Sequence, residues 1–153
     1  ASSIMQFNTH MELALSEARA AAKRGEVQVG AVVVVPQGQV VAAAGNRTRA
    51  DNDPTAHAEM LVIRAACAAA GSERLTDYSL YVTLEPCAMC AAAISAARIA
   101  KLYYGASDPK SGGVAAGARV FSHPQSHHDP QLLAGIAAAD SDAMLRRLCL
   151  ARR

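Results

Sequence analysis

The chain has no tryptophan and only two phenylalanines and four tyrosines among its 153 residues. With aromatics at 4%, a core built around bulky rings is excluded, and the alanine-rich helices must pack over smooth, close-fitting faces. Four cysteines are too few for the disulfide framework of a small secreted domain. No uninterrupted apolar run reaches the ~18 residues of a membrane-spanning helix, and the first ten positions show no basic segment followed by an apolar stretch. A cytoplasmic protein without membrane association is expected. A formal net charge of +2 and a pI near 8.5 exclude binding of nucleic acid by bulk charge alone, so any RNA contact must be local. What the chain does have is 52% hydrophobic residues, enough at this length for one domain, 1–153, around one core.

The hydrophobic pattern alternates between helical and strand periods. Thr9-His10-Met11-Glu12 is a capping box that predicts a helix start there, with Met11, Leu15, Ala18 and Ala22 along its apolar stripe and Gly25 at its end. Val27 to Val35 is a nearly continuous β-branched run and predicts a strand covered on both faces. Pro36-Gln37-Gly38 turns the chain into an antiparallel partner, Gln39 to Ala44. Asp53-Pro54 reads as an N-cap followed by the first helical position, which places His57 in the first turn of a helix running to Ala70 and ended by Gly71. Ser79 to Leu84 is a third strand. Glu85-Pro86 then opens a helix with Cys87 in its first turn and Cys90 in the next, and Ile99 to Tyr104 is a fourth strand, parallel to the third. Asp108 to Gly113 is a turn-rich loop at the carboxyl end of a parallel strand, the usual place for a ligand. Gln131 to Ala138 is a short edge strand, and Asp140 caps a last helix to Leu150.

Chemistry concentrates in His57-Ala58-Glu59 and Pro86-Cys87-Ala88-Met89-Cys90. One histidine and two cysteines give zinc three ligands and leave the fourth tetrahedral position open, the count of a catalytic site. Glu59, two residues beyond His57, is placed to act as general acid and base. This H-x-E…P-C-x-x-C arrangement is the known signature of the zinc-dependent nucleobase deaminases. Zinc brings the ionisation of its water from about 15.7 towards 7, and Glu59 is expected to move the proton to a ring nitrogen and then to departing ammonia. Cys67 and Cys149 lie in apolar helical patterns and read as small buried hydrophobes.

Through Val29-Gly30-Ala31, Gly45-Asn46-Arg47, His57-Ala58-Glu59, Leu80 to Cys90, Tyr104-Gly105-Ala106 and Asp108-Pro109-Lys110, the chain resembles the bacterial tRNA-specific adenosine deaminases over almost its whole length. The resemblance implies a cytidine-deaminase-like α/β fold, a three-layer α/β/α sandwich with a five-stranded mixed sheet, in a homodimer. It implies conversion of the wobble adenosine of an arginine tRNA anticodon to inosine, with Zn2+ on His57, Cys87 and Cys90 and Glu59 as proton shuttle. Val29, Asn46, Ala58, Leu84, Asp108 and Lys110 are the implied substrate-binding positions, Asn46 on the purine and the Asp108–Lys110 loop along the RNA. Gln28 replaces a proline common in the family, and Leu148-Cys149 replaces a pair of aromatics in the last helix.

Blander readings stand beside these. Asn46 after a glycine also suits a left-handed turn, Lys110 also suits a solvated loop, and His127-His128 also suit an exposed loop. Arg146-Arg147 and Arg152-Arg153 also suit the negative end of a helix. One of His123, His127 or His128 would close a purely structural zinc site, giving an RNA-binding module without catalysis. A deaminase of free guanine or cytosine would share the whole zinc machinery.

Overall fold

The strand Gly30–Val34 (β1) is buried at every position, as a valine-rich run with no polar face requires. It is the second strand of a five-stranded mixed sheet in a computed structural model that describes residues 3–134, and side chains from residue 9 onward. The other elements are the helices α1 (Ser3–Lys23), α2 (Ala58–Ala70) and α3 (Ala88–Ala96) and the strands β2 (Val40–Gly45), β3 (Ser79–Leu84), β4 (Lys101–Ala106) and β5 (Gln131–Ala134), with a 3₁₀ turn at Val120–Ser122. The strand order is β2-β1-β3-β4-β5. β1 runs antiparallel to both neighbours, whereas β3, β4 and β5 are parallel. The predicted three-layer α/β/α architecture is therefore present: α1 packs across β1, β2 and β3, and α2 packs across β1 and β2 with α3 beside it.

Close approach of α1 depends on two glycines that face each other. Gly30 pairs with Gly45 across β1 and β2. A Cβ on Gly30 would collide with the carbonyl oxygen of Ala14, and one on Gly45 would lie 2.5 Å from that of Glu17. Beneath α1 and α2, the side chains of Val32, Val33, Leu80, Leu84 and Leu102 are fully buried, each contributing roughly 1.5–3 kcal/mol by removal from water.

Several boundaries differ from the sequence reading: β1 covers only Gly30–Val34 of the predicted Val27 to Val35, β4 runs Lys101–Ala106 where Ile99 to Tyr104 was expected, and all three helix starts shift. Helix α1 begins at Ser3, so Thr9 to Glu12 lie inside it. A Thr and a Glu three apart are also neighbours on a helix surface, and no Pro or Gly between 3 and 8 stops the helix. Helix α2 begins four residues later than Pro54, because the Asp53 carboxylate closes a turn on the Thr55 amide (2.8 Å) and hydroxyl (2.7 Å) instead of capping. Helix α3 starts at Ala88, so Cys90 sits in its first turn. The predicted Gly71 end of α2 is present, in the left-handed conformation at φ 64°. The edge strand is described as far as Ala134. Asp140 to Leu150, Leu148-Cys149, Arg146-Arg147 and Arg152-Arg153 lie outside the described residues. No helix among the described residues is long and apolar enough to cross a membrane.

β3 and β4 finish in register, at Leu84 opposite Ala106. The chain therefore leaves both strands at one edge of the sheet, through Glu85-Pro86-Cys87 and through the loop after Ala106.

Candidate active site

His57 and Cys87 are the N-cap residues of α2 and α3, both in extended conformation (φ −73°, ψ 152° and φ −71°, ψ 175°). Two helix N-termini, with their exposed amides and positive dipole ends, converge on one point. The Nδ1 of His57 lies 3.6 Å from the Sγ of Cys87 and 3.6 Å from that of Cys90. A tetrahedral zinc with Zn–N of ~2.05 Å and Zn–S of ~2.3 Å separates its N and S ligands by about 3.6 Å. The three donor atoms all lie within 4.8 Å of one another, so the residues fit the metal without rearrangement.

The sulfurs are prepared for a cation. A hydrogen bond from Cys90 outweighs burial and, with help from the imidazole of His57, draws the Cys87 thiol down to about 4. Cys90 is pushed up by the same contact, by burial and by the charge of Glu59. One thiolate and one thiol facing an imidazole become two thiolates when a divalent ion replaces the shared proton.

Glu59 is buried in the first turn of α2, beside Cys90 and outside the donor group. Of the three histidines that would have closed the site, none joins that group among the described residues. His123 accepts the Gln125 amide at 3.2 Å. His128 places Nε2 2.8 Å from the Ile99 carbonyl and its own amide donates to Ser95 Oγ at 3.0 Å, so it pins its loop to α3. His127 is exposed.

A cavity of about 240 Å³ opens over His57, lined by Val27, Asn46, His57, Lys110 and Ser111. It is smaller than the roughly 300–1,000 Å³ of drug-sized ligand sites, room for one planar base. Asn46 is buried, and its Oδ1 accepts the Ala58 amide at 2.9 Å. With the oxygen engaged as a remote cap of α2, the Nδ2 amide is the group Asn46 can offer a ligand. Lys110 and Ser111 are exposed at the rim. Val29, Ala58, Leu84 and Asp108 are buried and are not among the lining residues. Val29 contributes its carbonyl to the Asn46 amide at 3.2 Å, and Asp108 accepts the amides of Lys110 and Ser111, each at 3.1 Å.

Two buried carboxylates that sequence reasoning missed hold the flanking loops. Glu26, 2% exposed, accepts the amides of Arg49 (3.1 Å) and Ala50 (2.8 Å) and the Thr48 hydroxyl (3.4 Å). Burial pushes its pKa up, but those bonds and the nearby Arg24 outweigh it, and the net shift is downward. Glu85, 1% exposed, accepts four amides of the 108–116 loop. For Glu85 the available signal was an acidic residue directly after Leu84, the last residue of a strand with almost no wet face.

Residues 5–106 match the cytidine and deoxycytidylate deaminase zinc-binding region, so the fold and the donor set define a zinc-binding deaminase. Over 97% of its length the chain is 57% identical to the tRNA-specific adenosine deaminase of Agrobacterium fabrum, covering 98% of that protein. It is 61% identical to a solved structure from work on A-to-I editing by tRNA:A34 deaminases, with a TM-score of 0.82 over 84% of this chain and 98% of that one. A guanine deaminase structure from Bacillus subtilis is similar at 38% identity and a TM-score of 0.62, over 65% of this chain and 64% of that one. The chain belongs to the family of tRNA-specific adenosine deaminases, hydrolases acting on carbon–nitrogen bonds.

Proposed function

We propose that the protein converts the wobble adenosine of a tRNA anticodon, that of an arginine tRNA, to inosine by hydrolysis, acting as a cytoplasmic homodimer. The observation that carries this reading is the open base-sized cavity lined by His57, one of the three grouped donors, together with Asn46 and Lys110. The near full-length identity to a tRNA-specific enzyme supports it.

A zinc ion held by His57, Cys87 and Cys90 supplies the Lewis acidity that lets water ionise near neutral pH. Every other step belongs to the chain. Glu59 takes the proton of the attacking water and passes it to the ring nitrogen next to the reacting carbon. The water oxygen bonds to the ring carbon that bears the amino group. Glu59 then takes the proton of the new hydroxyl and gives it to that amino group, the C–N bond breaks and ammonia leaves, with the carbonyl of inosine in its place and the first proton kept on the ring nitrogen. Asn46 Nδ2 donates to an acceptor on the purine edge, and Lys110 meets a phosphate of the extruded nucleotide.

Dimer formation finds support along α3. Ala91 and Ala97 face the core, whereas Ala92 and Ala96 are exposed, and hollows of about 320 and 500 Å³ lie on either side of that outward stripe. Small residues there allow a second backbone to approach closely.

The likeness to a guanine deaminase favours a second reading, turnover of a free base. Incubation with an anticodon stem-loop carrying adenosine at the wobble position, beside free adenosine, guanine and cytosine, decides between them. Inosine in the stem-loop with little ammonia from free bases is the expected result; faster release from guanine overturns it.

A further inference from the structure

Glu85 joins the last strand residue of β3 to Pro86 and the ligand Cys87, yet its side chain points into the neighbouring loop. Oε1 accepts the Asp108 amide at 3.1 Å. Oε2 accepts three successive amides, those of Val114 (3.1 Å), Ala115 (3.0 Å) and Ala116 (3.1 Å). The loop is tied to the same short stretch once more, through the Gly113 amide on the Pro86 carbonyl, and the Glu85 amide holds the end of β4 through the Ala106 carbonyl, both at 2.8 Å. Gly112 lies flat against the carboxylate: a Cβ there would collide with Oε2 and lie 2.5 Å from the Asp108 carbonyl oxygen. Between the clamped ends, Asp108 Oδ1 gathers the amides of Lys110 and Ser111, which stand exposed at the cavity mouth.

We propose that Glu85 is a positioning residue for RNA: its carboxylate fixes the 108–116 loop to the metal-bearing segment, so that Lys110 and Ser111 are in place before the substrate arrives. The proposal rests on the tRNA reading above. A loop of nine residues that had to order on binding would subtract its conformational entropy from the affinity; a clamped one does not. A carboxylate suits this task because its two oxygens take four donors, which no other side chain of that size does. Glutamine keeps one acceptor oxygen and turns an NH₂ group towards amides that need acceptors.

The test compares wild-type enzyme with Glu85→Gln and Gly112→Ala, each loaded with zinc, on the anticodon stem-loop. The expected result is a KM raised about tenfold or more, a kcat at saturation within about threefold of wild type, one zinc per chain, and faster amide exchange over 108–116. A merely structural role would lower the active fraction, and with it kcat, at constant KM. An unchanged KM in both variants overturns the proposal, as does loss of zinc, which would make Glu85 a support of the metal. Should Glu85→Gln fail to fold, Gly112→Ala carries the test, because it disturbs the clamp while keeping the carboxylate. A wild-type enzyme that leaves the stem-loop unaltered sinks the tRNA reading instead, a result distinct from an active wild type whose KM ignores both changes.

Discussion

The side-chain oxygen of Asn46 accepts the backbone amide of Ala58 at 2.9 Å, so the residue implied as the purine contact is also a remote cap of α2, the helix that follows His57 and bears Glu59. Two substitutions separate these tasks. Asn46→Asp keeps an acceptor for Ala58 and removes the Nδ2 donor; it should retain zinc and melting temperature while losing affinity for the stem-loop. Asn46→Ala loses both, with about 1 kcal/mol of stability and a fall of about 2–4 °C in Tm for a chain of this length. Thermal denaturation beside KM measurements checks the split; full activity of the aspartate variant refutes the purine contact.

Metal and proton transfer separate in the same way. Cys87→Ala should lose zinc and stability together, since binding and folding are coupled, whereas Cys67→Ser should leave zinc content unchanged, its thiol lying outside the donor group. Glu59→Gln should keep one zinc per chain and RNA affinity while losing at least the ~10²-fold typical of a general acid and base. Zinc analysis and inosine formed per hour read these outcomes, and a Glu59→Gln enzyme of near wild-type rate is incompatible with the proposed proton path.

Glu26 supplies a pH-dependent brace for the 47–53 loop. Its folded pKa lies below the ordinary 4.5, so its contribution is fully present above the unfolded value and is lost as pH falls through the lower, folded one. At pH 7, Glu26→Gln should cost about 1.5–3 kcal/mol, the range for hydrogen bonds to a charged group. The difference in Tm between wild type and variant should shrink as pH drops below 4.5. A difference that stays constant through that window contradicts the brace. Taking the difference removes the acid sensitivity of the metal ligands, which both proteins share.

Much of this site was legible before the fold was known, because its chemistry is local in sequence. His57 with Glu59, and Cys87 with Cys90, keep their spacing whatever surrounds them, and the valine run held a fully buried strand, though a shorter one, Gly30–Val34, than the predicted Val27 to Val35. The start of α2 was not legible, because Asp53 has two uses for its oxygens and the nearby Thr55 hydroxyl decided between them. Glu26 and Glu85 escaped for a different reason. Their partners are backbone amides 23 or more positions away, and a backbone amide leaves no mark in composition or period. That Asp108, implied as part of the loop along the RNA, is buried and accepts the amides of Lys110 and Ser111 was hidden from the sequence in the same way.

Lys110 provides the sharpest check on the nature of the substrate. It is exposed at the rim of the cavity, with its backbone amide held by Asp108, so its ammonium can reach a charge outside the pocket without moving the loop. A free base brings no such charge, whereas a nucleotide extruded from an RNA loop brings a phosphate on each side. Neutralising one phosphate on single-stranded RNA releases about 0.7 of a counterion, which sets its share of the dependence of log K on log salt. Lys110→Ala should therefore weaken stem-loop binding and flatten that slope by about 0.7, leaving zinc content and kcat at saturation unchanged. Binding isotherms at several salt concentrations, run for both proteins, measure it directly. A slope that does not change places the ammonium off the phosphate path, and a variant that loses kcat but not affinity assigns Lys110 to the chemistry within the pocket instead.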